Sequence, residues 1–173
     1  MLNRDDLKGL KLSNPIHLAA LGFGRGLAPK APSTFATLAA IPVFYLLAML
    51  SIEYYLAVLV ISSCTRVWFC HVTSEAIGIH DHKTIVWDEF VGYWITMLPL
   101  LLVYPEIKNG MAIPFIWVCV GFLLFRFFDL LKSFPISWLD KKVESGFGIM
   151  SDDIVAGIFA AIGLFLLIQF YSL

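Results

Sequence analysis

Long apolar stretches separated by short polar segments make up most of the chain. A helix needs about 20 mostly apolar residues to cross the hydrocarbon layer of a bilayer. Five stretches approach this length and are predicted to span the membrane, at about 34–50, 54–71, 88–104, 112–131 and 152–171. The pattern therefore predicts an all-α fold, a polytopic membrane helix bundle of about five transmembrane helices.

The N-terminal part of the chain has a different pattern. The apolar run at 16–27 is too short for a span, and three glycines around Arg25 interrupt it, so it is predicted to be an interfacial or re-entrant segment. Both signs of charge precede this run, without an apolar core and cleavage site, so no secretory signal peptide is expected. We expect one integral membrane domain over 1–173, with 1–33 as a cytoplasmic or interfacial segment and 34–173 as the bundle.

Composition agrees with a membrane protein. The chain is 60% hydrophobic and 14% charged, with a mean hydropathy of +0.84, whereas soluble domains are roughly 45–50% apolar. The formal net charge of −1 gives no indication of a nucleic-acid partner. Cys64, Cys70 and Cys119 fall inside apolar runs without paired or metal-ligand spacing, and are interpreted as small buried hydrophobic residues.

The basic residues predict the orientation, because they collect in loops on the cytoplasmic side. With the N-terminus inside, the longer polar loops at about 72–87 and 132–151 are also inside. Of the 12 Lys and Arg residues, only Lys108 then lies outside. The N-terminus and both loops are therefore predicted to face the cytoplasm.

Five carboxylates, here called the acidic ring, fall at the cytoplasmic ends of three predicted spans. Asp88 and Glu89 open the third span, Asp129 lies near the end of the fourth, and Asp152 and Asp153 open the fifth. Stabilisation of a helix N-terminus is an alternative explanation for four of them, but not for Asp129, which lies at the electronegative end of its helix. Since ionisable groups in membranes are usually functional, the ring is predicted to be a functional site.

Clustered carboxylates repel one another unless a cation neutralises them, and oxygen-only ligands suit Mg²⁺. Arg126 and Lys132 stand three residues before and after Asp129, where each could pair with it or bind phosphate. His80 and His82 could bind a transition metal or move a proton, although a solvated loop position is the favoured interpretation.

Four ordered motifs, IVWDEFVG, FRFFDLLKSFPI, GFGIMSDDIVAG and the upstream SNPIHLAALGFGRGLAPKAPSTFATLAA, resemble the phosphatidylglycerophosphatase A family of bacterial inner-membrane lipid phosphatases. The resemblance extends from Ser13 to Gly157. It implies a phosphoric monoester hydrolase of glycerophospholipid biosynthesis that converts phosphatidylglycerophosphate to phosphatidylglycerol and phosphate with Mg²⁺. The implied location is the bacterial inner membrane, with the active site facing the cytoplasm.

The resemblance also implies roles for individual residues. The catalytic and metal-binding positions that carry over are Asp88, Glu89, Asp129, Asp152 and Asp153. In the mechanism expected from these residues, one acid that does not hold the metal, Glu89 or Asp153, orients or deprotonates the attacking water. The substrate-binding positions are Arg126, Lys132 and Thr34.

Two departures from the family pattern are visible. The family's upstream PGTxGS reads PSTFAT at 32–37, so that both glycines are replaced and a tight glycine-dependent phosphate loop is not expected. The proline that follows the lysine of FRxxDxxKP is Ser133, although Pro135 is kept.

Two other classes remain open from the residues alone. An ion-coupled membrane transporter would use the acidic residues to bind protons or cations, but its site should lie near the bilayer midplane rather than at one surface. A non-catalytic assembly subunit explains the acidic ring least well. Oligomeric state is not indicated by the sequence.

Overall fold

The computed structural model describes residues 13–28, 31–77, 85–109, 112–131 and 148–171. Within these ranges all regular secondary structure is helical, which confirms the all-α prediction. The helices are α1 (Pro15–Ala20), α2 (Pro32–Leu47), α3 (Ile52–Ile77), α4 (Trp87–Val103), α5 (Phe115–Leu130) and α6 (Gly148–Tyr171), with 3₁₀ turns at Arg25–Leu27 and Pro105–Asn109.

Each of the five apolar stretches corresponds to one helix, with shifted ends. Helix α3 continues to Ile77, and α6 begins at Gly148, so both run into the segments predicted as inner loops. Hydropathy marks only the apolar part of a helix, whereas backbone hydrogen bonds continue through polar residues until a breaker intervenes. The remainder of the two predicted loops, 78–84 and 132–147, lies outside the described residues.

Prolines mark the starts of three helices. Pro15 and Pro32 begin α1 and α2, and Pro114 directly precedes α5. Proline suits these positions because its fixed φ is helical and its missing N–H would have no partner in the first turn. The sequence thus sets these helix starts locally.

Helix α4 is the centre of the bundle and contacts α2, α3, α5 and α6, most extensively α6. Its inward face is almost completely buried, through Phe90, Tyr93, Trp94, Met97 and Leu100. Helix α6 meets it with small and aliphatic side chains, of which Ala156, Ala160, Leu164 and Ile168 are buried.

Aromatic polar groups tie α4 to its neighbours. The indole N–H of Trp94 donates to the carbonyl of Ala40 on α2 at 3.1 Å, and the Tyr55 hydroxyl of α3 donates to the carbonyl of Trp94 at 2.7 Å. The indole N–H of Trp87 donates to the carbonyl of Ser62 at 3.1 Å. These bonds fix three helices relative to one another, since a buried indole or phenol needs a hydrogen-bond partner.

The N-terminal segment is compact and irregular. After α1, backbone φ is positive at Gly22, Phe23 and Gly24, and a 3₁₀ turn follows. A Cβ at Gly22 would lie 2.8 Å from the Phe90 ring, so glycine permits this close approach. The backbone N–H of Val86, just before α4, donates to the carbonyl of Ala20 at 2.9 Å. The segment therefore lies against the start of α4, and its interfacial or re-entrant character stays a prediction.

One cysteine prediction is wrong. Cys64 is exposed on α3 and Cys119 is intermediate in exposure, while the side chain of Cys70 lies outside the described part of the chain. The expected burial of Cys64 fails because, within the described part of the chain, its side chain lies on an uncovered face of α3.

By length and composition, one helix among the described residues is suited to cross a membrane. Asp152–Tyr171 in α6 has 20 residues and a mean hydropathy of 2.3. Pro32–Leu47 and Ile52–Thr65 are apolar but shorter. Helix α4, with 17 residues, is about 25 Å long against a hydrocarbon layer of about 30 Å. The arrangement of five spans therefore stays a prediction.

Candidate active site

Two acidic residues lie in the first turn of α4. Asp88 is partly exposed, whereas Glu89 is 8% exposed and counts as buried. The helix dipole favours carboxylates at this position. Val86, the N-cap residue, makes no side-chain capping bond. Burial of Glu89 is costly for a charged group without compensation, so helix stabilisation alone does not account for it.

The second acidic pair lies one turn inside α6. This helix begins at Gly148, so Asp152 and Asp153 follow its first turn rather than opening it. The capping explanation consequently fails for this pair. Asp153 is only 3% exposed, which places its carboxylate inside the bundle.

Three carboxylates from the two helices converge. Asp88, Glu89 and Asp153 each offer an oxygen, and these oxygens all lie within 4.8 Å of one another. We call these three residues the carboxylate cluster. The cluster lies near the N-termini of α4 and α6, at one end of the bundle. The acidic ring predicted a common depth for these three residues, and they share it.

A pair of glycines brings α4 and α6 close enough for this convergence. A Cβ on Gly157 would lie 2.5 Å from the carbonyl oxygen of Gly92, and a Cβ on Gly92 would lie 2.8 Å from the carbonyl oxygen of Asp153. The helix backbones therefore touch one turn beyond the cluster. In the next turn the Thr96 hydroxyl is 3.0 Å from the carbonyl of Gly92 and 3.4 Å from that of Gly157, which links the two helices again.

The carboxylate cluster gathers negative charge that a bound cation would offset. Two ionised groups no more than 4.8 Å apart repel each other by at least about 3 kcal/mol at an effective dielectric of about 20. Ligand oxygens on an octahedral Mg²⁺, at about 2.1 Å from the ion, are about 3.0 or 4.2 Å apart. Closing separations of up to 4.8 Å to about 3.0 Å takes an inward movement of up to about 1 Å by each carboxylate oxygen, which side-chain rotation can supply. The donor set is all oxygen, which fits a hard divalent cation.

Asp129 takes a different partner. Near the end of α5, Arg126 donates to its carboxylate through Nη1, and Arg126 Nη2 donates to the Ser33 hydroxyl of α2 at 3.2 Å. The Arg126 and Asp129 side chains are 12% and 9% exposed. The ion pair is one of the two roles that the sequence left open for Arg126. Asp129 and Asp152 are not members of the carboxylate cluster, and their roles as metal ligands stay predictions.

The other predicted site residues are placed as follows. Thr34 lies next to Ser33 in the first turn of α2 and is half-buried. Lys132, His80 and His82 lie outside the described residues. The structure thus joins α2, α5 and the two acidic helices at one end of the bundle.

Sequence reasoning missed Ser33, Gly92 and Gly157 as site-forming residues. A signal for the glycines was present, because Asp88 and Gly92 share the same four-residue spacing as Asp153 and Gly157. This spacing puts an acid and a glycine on one helix face in both motifs. Nothing comparable marks Ser33, since its partner Arg126 is 93 positions away.

Comparison with known proteins gives a consistent result. The family model described as phosphatidylglycerophosphatase A matches residues 18–168. Phosphatidylglycerophosphatase A of Escherichia coli (strain K12) is 46% identical over 155 residues, covering 88% of this chain and 83% of the relative. The protein of that name from Haemophilus influenzae is 42% identical over 177 aligned residues and covers both chains completely.

A more distant relative carries another name. A putative phosphatidylinositol-3-phosphatase of Bacteroides thetaiotaomicron is 32% identical over 150 residues, covering 84% of this chain and 88% of the relative. No solved structure matches the chain. Since the family model covers most of the chain, carboxylate cluster included, and two relatives that match most or all of the chain share its name, the protein is a phosphoric monoester hydrolase and belongs to the phosphatidylglycerophosphatase A family.

Proposed function

We propose that the protein hydrolyses phosphatidylglycerophosphate to phosphatidylglycerol and phosphate at the cytoplasmic surface of the bacterial inner membrane, with Mg²⁺ as cofactor. The observation that carries the proposal is the carboxylate cluster, in which Asp88, Glu89 and Asp153 place oxygens within 4.8 Å of one another. The names of the Escherichia coli and Haemophilus influenzae relatives support the substrate.

In this mechanism Asp88, Glu89 and Asp153 would hold the cation, which when bound supplies positive charge to phosphoryl oxygens and to a water molecule. The water oxygen forms a bond to phosphorus while the bond between phosphorus and the glycerol oxygen breaks. Each carboxylate has two oxygens, and the oxygen of Glu89 or Asp153 that does not hold the cation accepts the water proton. The departing glycerol oxygen takes up a proton from solvent and leaves as the hydroxyl of phosphatidylglycerol, and the carboxylate returns the water proton to solvent.

Arg126 binds the phosphoryl group in this proposal. A guanidinium carries five N–H donors, and the contacts with Asp129 and Ser33 involve Nη1 and Nη2. The remaining N–H groups of Arg126 can therefore donate to a phosphoryl oxygen. Asp129 keeps the guanidinium in place from the same helix, and Lys132 and Thr34 contribute to phosphate binding as the family resemblance implies.

The exposed surface supports a multi-pass membrane location. Large apolar side chains cover the outward faces of α3, α5 and α6, including Val60, Ile61, Leu123, Phe127, Leu130, Phe159, Ile162, Leu166 and Phe170. A soluble monomer rarely exposes a contiguous apolar surface of this kind, whereas lipid accommodates it. Five spans with the N-terminus inside put the carboxylate cluster at the cytoplasmic surface, where a lipid phosphate of the inner leaflet is accessible.

The alternative of an ion-coupled transporter gains no support from the relatives. The carboxylate cluster lies at the ends of α4 and α6 rather than midway along them, whereas a carrier site is expected near the bilayer midplane.

The test is phosphate release by the purified protein from phosphatidylglycerophosphate in detergent. Glu89→Gln and Asp153→Asn keep the side-chain volume but remove the charge, so each is expected to lower turnover at least a hundredfold while expression stays normal. Glu106→Gln, an exposed acid in the 3₁₀ turn at the other end of the bundle, is the matched control and should stay near normal.

Retention of more than a tenth of normal turnover by both cluster variants would mean that less than roughly 1.4 kcal/mol of transition-state stabilisation was lost. The cluster would then be structural. Phosphatidic acid and phosphatidylinositol 3-phosphate serve as comparison substrates. Faster hydrolysis of either one would contradict the proposed substrate while leaving the phosphatase activity intact.

A further inference from the structure

Arg126 is held from two helices at once. Its Nη1 donates to Asp129 on its own helix, and its Nη2 donates to the Ser33 hydroxyl of α2 at 3.2 Å. An arginine side chain has several rotatable bonds and considerable rotamer entropy. Asp129 alone restrains one edge of the guanidinium, and the contact with Ser33 fixes its rotation about that edge.

Ser33 is itself rigidly placed. It follows Pro32, whose ring fixes φ at the first position of α2. Its backbone carbonyl accepts a hydrogen bond from the Thr37 hydroxyl at 3.0 Å. The Ser33 hydroxyl is therefore presented to Arg126 from a well-defined first turn.

The Ser33 hydroxyl is not required to begin the helix. The N-cap residue of α2 is Ala31, which makes no side-chain capping bond, and Ser33 is the second residue of the helix. Side-chain capping is a function of the N-cap position. The chain has serine here where the family pattern PGTxGS has glycine, so the hydroxyl adds a contact that glycine cannot make.

The arrangement also concentrates positive charge. The N-terminus of a helix carries about half a unit of positive charge, and the Ser33 contact brings the guanidinium of Arg126 against this end of α2. Asp129 offsets one unit. These three groups together leave about half a unit of positive charge where α2 meets α5, which suits an approaching phosphoryl group.

From this geometry we infer that Ser33 is a positioning residue, whose hydroxyl orients Arg126 toward the phosphoryl group of the substrate. The inference rests on the proposed role of Arg126 in phosphate binding. Ser33 acts through Arg126 and not on the reacting atoms, so its removal should weaken phosphate binding without abolishing turnover.

The experiment compares Ser33→Ala with Ser33→Thr, which keeps a hydroxyl. Ser33→Ala is expected to raise KM for phosphatidylglycerophosphate five- to twentyfold with kcat within threefold of normal, and Ser33→Thr to restore KM to within threefold. Ser51→Ala is the matched control, because Ser51 also hydrogen-bonds a charged side chain, that of Glu53, but at the other end of the bundle. It should leave both constants unchanged.

A double-mutant cycle identifies the route of the effect. In an Arg126→Lys background, which lacks the bidentate guanidinium, Ser33→Ala should change kcat/KM less than twofold, because the residue through which Ser33 acts is already altered. If Ser33→Ala lowers kcat/KM by the same factor in the wild-type and the Arg126→Lys backgrounds, the inference is overturned. It is also overturned if the wild type is active and Ser33→Ala leaves KM unchanged.

Inorganic phosphate provides a readout that does not depend on the lipid substrate. Its dissociation constant, measured by titration calorimetry with the purified protein, should rise at least fivefold in Ser33→Ala and stay within twofold in Ser51→Ala. If the wild type releases no phosphate from phosphatidylglycerophosphate but this pattern holds, the proposed substrate fails and the inference stands. If phosphate binding is the same in all three proteins, the inference fails.

Discussion

The glycine contact between α4 and α6 gives the most demanding prediction, for Gly157→Ala. The new Cβ would lie 2.5 Å from the carbonyl oxygen of Gly92, whereas ordinary contacts begin at 3.4 Å. The backbone of α4 cannot rotate away as a side chain can, so the two helices must separate by roughly 0.9 Å. Overpacking of this kind costs about 1–3 kcal/mol, against a gain of about 1 kcal/mol in helix propensity.

The separation acts directly on the carboxylate cluster. Asp153 and Asp88 lie one turn before Gly157 and Gly92, and the oxygens now lie within 4.8 Å of one another. Adding the displacement gives separations of up to roughly 5.7 Å, while opposite ligands of Mg²⁺ are about 4.2 Å apart. Since a misplacement of about 1 Å can lower a rate a hundredfold, we expect turnover to fall ten- to a hundredfold and the Mg²⁺ concentration for half-maximal activity to rise.

The assay is phosphate release from phosphatidylglycerophosphate at several Mg²⁺ concentrations, together with thermal unfolding of the same preparation. The matched control is Gly163→Ala on the same helix, where the new Cβ would lie 3.6 Å from a Leu124 methyl group. This ordinary contact should leave activity unchanged and raise stability by up to about 1 kcal/mol.

Two results would refute the reasoning. If Gly157→Ala keeps more than half of normal turnover at limiting Mg²⁺, the close approach of the helices does not set the geometry of the cluster. If Gly163→Ala loses as much activity as Gly157→Ala, the effect comes from changing helix composition and not from the contact with Gly92.

Three further predictions concern the metal, the topology and the packing. Exhaustive chelation with EDTA should abolish turnover and Mg²⁺ should restore it, with Mn²⁺ as a substitute because it accepts similar ligands; full activity after chelation would contradict the metal mechanism. In a cysteine-free version on intact cells, an impermeant thiol reagent should label a cysteine at Asn109 but not one at Ser13, both exposed positions, and the reverse pattern would invert the proposed orientation. Trp94→Phe removes the hydrogen bond to the carbonyl of Ala40 and should lower the free energy of unfolding by roughly 1 kcal/mol. We expect a Tm lower by about 2–4 °C and turnover within twofold of normal. An unchanged Tm would show that this bond does not stabilise the bundle.

The helices and the depth of the acidic residues were readable from the chain alone. Apolar stretches gave five of the six helices, and the alternation of helix direction placed Asp88, Glu89 and Asp153 at one end of the bundle. Position along a helix follows from the constant rise per residue, which is a local property. The motifs around these acids also sufficed to indicate the family.

Local sequence did not determine which side chains face one another, because rotation about each helix axis and the choice of neighbour depend on packing between distant segments. Five acids were predicted as one ring, yet three converge and Asp129 pairs with Arg126. Gly92 and Gly157 let the backbones of α4 and α6 touch. This close approach brings Asp153 of α6 next to the two acidic residues of α4. Ser33 meets Arg126 from 93 positions away, and only the packing of α2 beside α5 brings them together.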